Sequence, residues 1–113
     1  MNLEEKITRG LVSYISSIEH DLDRRRITIK FLEDPEGNYI DRILTFSGIE
    51  DFSEEEFEDE DVEAGINVID SLIGLDEYPE SESVRYVVHT ELREMIFRTK
   101  EKPQIEDVWK KAI

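Results

Sequence analysis

From residue 26 onward, apolar and polar positions alternate with a period of two in several separate stretches. This spacing turns one face of a β-strand toward a core and the other toward water. Ile27, Ile29 and Phe31 alternate with Thr28 and Lys30, and Ile40, Leu44 and Phe46 oppose Tyr39, Ile43 and Thr45 in the next run. Between the two, Asp34-Pro35-Glu36-Gly37-Asn38 reads as a turn, because Pro presets φ and Gly tolerates a positive-φ corner. Strands over 26–33 and 39–47 are therefore expected to form a hairpin. Residues 66–75 are apolar with few breaks, which suits a well-covered strand, with Gly74 marking a bulge or a close approach. Two more runs, 84–88 and 92–97, flank His89-Thr90-Glu91 and predict a second hairpin.

The two ends of the chain carry a different pattern. Leu3, Ile7, Leu11, Tyr14, Ile15, Ile18 and Leu22 follow helical spacing, yet Val12, Tyr14, Ser16, Ile18 and His20 also line one face of a strand. The β-branched residues and the Ser16-Ser17 pair lower helix propensity. The favoured reading is a short helix through Arg9, an interruption at Gly10 and a strand over 12–20, with a helix for residues 11–22 left open. Near the other terminus, Pro103 precedes Ile105, Val108, Trp109 and Ala112, with Glu106 and Asp107 early and Lys110 and Lys111 late. That arrangement predicts a compact amphipathic helix with dipole-compatible charges. The expected fold is α+β: one domain over 1–113, a predominantly antiparallel sheet of hairpins, short helices at both termini, and an acidic loop or short helix in the middle.

Charge changes this picture most in the middle of the chain. The 113 residues include 29 acids and 14 bases, a formal net charge of −15. Residues 50–83 hold fifteen of those acids and none of the bases, so the excess lies wholly there. Ten acids fall within 50–63, and Asp76, Glu77, Glu80 and Glu82 follow. Such a block repels itself unless it is solvated or met by cations. Ser53-Glu54-Glu55-Glu56 matches a capping box, which predicts a helix start with negative charge at the positive end of its dipole. Phe52, Phe57 and Val62 interrupt the block as tethers to the core or anchors for a partner.

The catalytic inventory is thin. A chain this acidic does not bind nucleic-acid backbones directly, because that requires clustered Lys and Arg. With no cysteine, thiolate zinc sites, disulfides and a Cys nucleophile are excluded. His20 and His89 lack metal-ligand spacing, and there is no glycine-rich phosphate loop or nucleophile elbow. Asp59, Asp61, Glu63, Ile66 and Asp70 approximate the ligand spacing of a calcium loop, but Ala64 replaces the turn glycine and Asp70 is shorter than the closing Glu. No enzyme activity, metal or cofactor is expected. Met1-Asn2-Leu3-Glu4-Glu5 has acids where a secretion signal needs cations, and no membrane span follows, so a cytoplasmic protein is expected.

A concentrated negative face attracts a basic partner at long range and raises its association rate. The candidate partner-binding residues are Glu54, Glu55, Glu56, Phe57, Glu58, Asp59, Glu60, Asp61, Asp76, Glu77 and Tyr78. The strands Arg26-Ile27-Thr28-Ile29-Lys30-Phe31, Arg42-Ile43-Leu44-Thr45-Phe46-Ser47-Gly48-Ile49 and Arg85-Tyr86-Val87-Val88-His89-Thr90 sit in a small, acidic, cysteine-free chain. In these features the chain resembles the immunity proteins of bacterial polymorphic-toxin and contact-dependent inhibition systems. The resemblance implies a role but assigns no functional residue. The partner it implies is a toxin domain, often a nuclease, held inactive in the producing cell. An acidic adaptor docking a basic host protein, with DNA mimicry as one form, is the alternative. Open sheet edges allow a homodimer as well as a monomer.

Overall fold

The computed structural model describes residues 2–9, 13–32, 39–58 and 69–111. One short helix, α1 (Leu3–Thr8), precedes eight strands: β1 (Tyr14–Asp21), β2 (Arg26–Leu32), β3 (Tyr39–Ser47), β4 (Glu50–Glu56), β5 (Asp70–Pro79), β6 (Val84–Thr90), β7 (Arg93–Thr99) and β8 (Gln104–Lys111). They form one sheet in the order β4-β7-β6-β5-β1-β2-β3-β8, and every pairing is antiparallel. No helix among the described residues is long and apolar enough to cross a membrane.

The order of strands forces the sheet to double over. β3 and β4 are joined through Gly48 and Ile49, yet β4 lies at the far edge from the β3–β8 pair. So short a link spans them only if the two ends of the sheet approach each other. Gly48 makes the corner with φ +68, and a Cβ there would meet the Glu101 carboxylate at 2.7 Å. The linker is pinned to the β1–β2 turn, where Ile49 N donates to the Arg25 carbonyl at 3.0 Å and Arg25 Nε donates back to the Ile49 carbonyl at 3.0 Å.

The two layers enclose a core of Ile27, Ile29, Phe31, Leu44 and Phe46 facing Leu72, Leu75, Tyr86, Val88, Met95 and Phe97. Phe46 of β3 meets Phe97 at 4.8 Å in an edge-on contact and Tyr86 at 4.9 Å, so aromatic packing joins the layers directly. The fully buried ones among them, such as Ile27, Leu44 and Phe97, each contribute roughly 1.5–3 kcal/mol through burial.

β5 belongs to both layers. Its first residues pair with β1 through Tyr14–Ser71 and Ile15–Asp70, and the remainder pairs with β6. The β1–β5 pairing ends there, and α1 packs against β5 with Leu3 and Ile7 buried. Two carboxylates tie α1 to β5, one reaching in each direction. Glu4 accepts from Leu75 N at 2.9 Å, and Glu77 accepts from Leu3 N at 2.7 Å. Asn2 caps the helix by accepting from Glu5 N at 2.8 Å, and Arg9 ends it with φ 52.

The sheet-dominated fold, the N-terminal helix and the β1, β2, β3, β6 and β7 strands agree with the sequence reading; the strand expected over 66–75 is β5, which starts at Asp70 and runs on to Pro79. The extra residue on β5 between Leu72 and Gly74 is the bulge that Gly74 marks. The turn over 34–38 lies outside the described residues. Two expectations are corrected. The C-terminal helix is instead strand β8, paired with β3 from Tyr39–Lys111 to Thr45–Gln104. A one-residue bulge between Asp107 and Lys110 resets the strand phase, so the three-residue step from Ile105 to Val108 imitates helical spacing. The capping-box helix at Ser53 is instead part of β4, hydrogen-bonded to β7. The open backbone edge of β7 and the burial of Phe52 outweigh a local capping signal.

Candidate functional site

β4, β7, β6 and β5 form one layer whose inner face holds the core, and pairing register fixes what stands on its outer face. Tyr86, Val88, Met95 and Phe97 point inward and are buried. The residues between them, Arg85, Val87, His89, Glu94, Ile96 and Arg98, therefore point outward. They line up in three rungs across the four strands. Gly74, His89, Glu94 and Glu55 form the first. Asp76, Val87, Ile96 and Ser53 form the second, and Tyr78, Arg85, Arg98 and Glu50 the third.

The middle rung is apolar at its centre. Val87 and Ile96, with Tyr78, Arg85 and Glu80, line a shallow trough of about 380 Å³. Tyr78 is 53% exposed and forms one wall. The cations below the trough are neutralised from both sides: Arg85 pairs with Glu80 at 3.5 Å, and Arg98 pairs with Asp51 and reaches Glu80 at 3.8 Å. On the first rung His89 Nδ1 lies 3.4 Å from Glu94, and the Phe57 ring covers the imidazole at 5.3 Å. Phe57 is held there by its own N–H, which donates to the Leu92 carbonyl at 2.9 Å.

The acidic strand β4 divides in two. Glu50 pairs with Arg25 at 3.2 Å, Asp51 with Arg98, and Glu54 with Arg93 at 3.3 Å. Phe52 turns into the core, 4.2 Å from His20 and stacked on Phe97 at 6.4 Å. Asp51 adopts φ 52 at an irregular step in the β4–β7 register, which lets the chain place Phe52 inside while both flanking acids reach arginines. Beyond Glu54 the pairing stops. Glu55, Glu56 and Glu58 are exposed and form no ion pair among the described residues.

Of the candidate residues named from sequence, Glu55, Phe57, Asp76 and Tyr78 lie around the outer face, whereas Glu56 takes the alternate parity opposite Arg93 at the end of β4 and Glu58 is exposed just beyond the strand. Glu54 is committed to Arg93. Glu77 lies on the opposite face of β5 from Asp76 and Tyr78, where it holds the start of α1. Asp59, Glu60 and Asp61 lie outside the described residues. So do most positions of the calcium-like spacing; its last, Asp70, is buried, and its Oδ1 accepts from Ser71 N at 2.9 Å and Leu92 N at 3.3 Å. Among the described residues no three His, Asp or Glu side chains are grouped to hold a metal.

Val87 and Ile96 were missed as site residues from sequence, although a signal was present. Tyr86-Val87-Val88 and Met95-Ile96-Phe97 are each apolar at three consecutive positions, which in a strand means apolar groups on both faces.

No protein-family model and no curated protein matches the chain. Its fold is similar to that in the crystal structure of an uncharacterized protein from Neisseria gonorrhoeae, with a TM-score of 0.58 and 13% sequence identity. The match covers 86% of this chain and 92% of the other. At that identity the likeness concerns the fold alone.

Proposed function

We propose that the protein is an immunity-type binding protein that neutralises a cationic toxin domain, of nuclease type, by docking it on the outer face of β4-β7-β6-β5. One observation carries the reading: an apolar trough of Tyr78, Val87 and Ile96 lies between carboxylates that form no ion pair among the described residues, Asp76 on β5 and Glu55 on β4, with Glu56 and Glu58 exposed at and just beyond the end of β4. An apolar centre with a charged margin is how protein interfaces divide the work, the centre supplying affinity and the margin steering encounter. A toxin surface that grips phosphates presents Lys and Arg, which this margin complements. The role is binding, without catalysis and without a cofactor, and its place is the cytoplasm of the cell that makes the toxin.

The first expectation is a neighbouring gene for a large toxin whose C-terminal domain is basic. That domain, purified, is titrated with this protein, and both its nuclease activity and the rate of association are measured between about 50 and 500 mM salt. Stoichiometric inhibition with an on-rate that falls steeply with salt supports the reading. Failure to inhibit, or inhibition indifferent to both salt and Val87→Glu, overturns it.

A further inference from the structure

A second concavity lies on the other side of β5 and β6, where the doubled sheet opens beside α1. Leu3 and Lys6 of α1, Glu77 of β5, Val84 and Tyr86 of β6, Lys102 and Pro103 of the β7–β8 connection and Ile105 of β8 enclose about 300 Å³. That is the lower end of the size range of small-molecule pockets, roughly 300–1,000 Å³. Leu3, Val84, Pro103 and Ile105 give it apolar walls, and the polar groups are few and of defined type.

The charges of this cleft run against those of the chain. Acids outnumber bases by 29 to 14, and seven of the bases are ion-paired: Arg9 with Asp107, Arg24 with Asp21, Arg25 with Glu50, Lys30 with Glu19, and Arg85, Arg93 and Arg98 as above. Lys6, Arg26, Lys100 and Lys102 have no ion pair among the described residues, and two of these four line the same cleft. Against them stands one carboxylate, Glu77, with an oxygen already engaged by Leu3 N. The cleft therefore carries one excess positive charge.

Tyr86 completes the set. Its ring is buried against Phe46 and Phe97, and its hydroxyl has no hydrogen-bond partner among the described residues. Burial, reinforced by the negative charge of Glu77, raises its pKa above the ordinary 10.0, so the phenol stays protonated as a donor. The connection bearing Lys102 is held in shape: Thr99 Oγ1 donates to the Glu101 carbonyl at 2.6 Å and accepts from Glu101 N at 2.9 Å.

We propose that this cleft binds a small amphipathic monoanion, a carboxylate on a short alkyl or aryl body. The carboxylate lies between Lys6, Lys102 and the Tyr86 hydroxyl, and the body lies against Leu3, Val84, Pro103 and Ile105. The site is independent of the docking face, since Tyr86 and Glu77 point away from Val87, Asp76 and Tyr78.

The test is a titration of the isotopically labelled full chain with sodium octanoate, followed by amide chemical shifts, with 1-octanol as the uncharged control. Saturable shifts centred on Leu3, Lys6, Glu77, Val84, Tyr86 and Ile105 are expected. Lys6→Gln combined with Lys102→Gln should weaken binding at least about fivefold, and Tyr86→Phe about threefold, each with an otherwise unchanged spectrum that reports the intact fold. Any of three results overturns the proposal: no saturable shift at millimolar octanoate, equal binding of octanol, or binding unaffected by the double lysine substitution. None of these results bears on toxin binding.

Discussion

The two halves of the segment 50–58, which comprises β4 and the two residues after it, have similar composition and opposite circumstances. In residues 50–54 every acid meets an arginine, and Phe52 reaches the core between them. In the following residues Glu55, Glu56 and Glu58 meet none among the described residues, and Phe57 rests on an imidazole at the surface. A carboxylate beside a guanidinium helps hold the edge strand in place. One without a partner raises self-repulsion, and its use lies in meeting something outside the fold. The difference teaches that local acid density does not identify a binding residue; the cations that folding brings to each acid do.

The sharpest way to break this contrast is at the two phenylalanines. Phe52→Ala should lower stability by about 2–4 kcal/mol, since it removes a ring packed between His20 and Phe97. Phe57→Ala should cost under about 1 kcal/mol and show its effect in partner binding instead. Denaturant unfolding of both variants decides the matter, and equal losses would erase the distinction between the halves. Next in size is charge removal. Glu55→Gln, Glu56→Gln and Glu58→Gln together should leave the unfolding midpoint unchanged while slowing association with a basic toxin domain about tenfold at low salt. The complementary set, Glu50→Gln, Asp51→Asn and Glu54→Gln, removes three partly exposed ion pairs. It should lower stability by about 1 kcal/mol in all and slow association less, as stopped-flow traces on both sets would show.

How far the sequence could reveal this division follows from which signals are local. The period-two runs of β2, β3, β6 and β7 are written in the order of residues, so those strands and their hairpins are legible. The edge strands β4 and β8 are not, because their pairing is decided by what β7 and β3 offer, and a capping box or a bulge-shifted apolar spacing speaks only for the isolated segment. The site was legible in the same partial way. Asp76 and Glu55 could be named from charge and Tyr78 as an aromatic beside the acids, whereas Val87 and Ile96 could be placed beside them only through the register of three strands. That Glu77 faces away from its neighbours Asp76 and Tyr78 follows from strand alternation alone and was readable once β5 was known to extend to Pro79.

The smallest expected effect tests whether Glu77 works inside the fold as Glu54 does. Its charge and the burial of Tyr86 both hold the phenol protonated, so the folded state keeps a proton that the unfolded chain gives up near pH 10. Below pH 10 both states are protonated and stability is indifferent to this group. As pH rises through 10, the unfolded state ionises first and binds fewer protons than the native state, so stability falls with pH until the folded pKa is reached. Ultraviolet titration should show one of the four tyrosines ionising last. The alkaline loss of stability should shrink in Tyr86→Phe, and Glu77→Gln should move the late ionisation back toward 10 only in part, because burial is the larger cause. A late tyrosine that persists in Tyr86→Phe would show that the late group is another phenol, and one insensitive to Glu77→Gln would show that the Glu77 charge does not act on Tyr86.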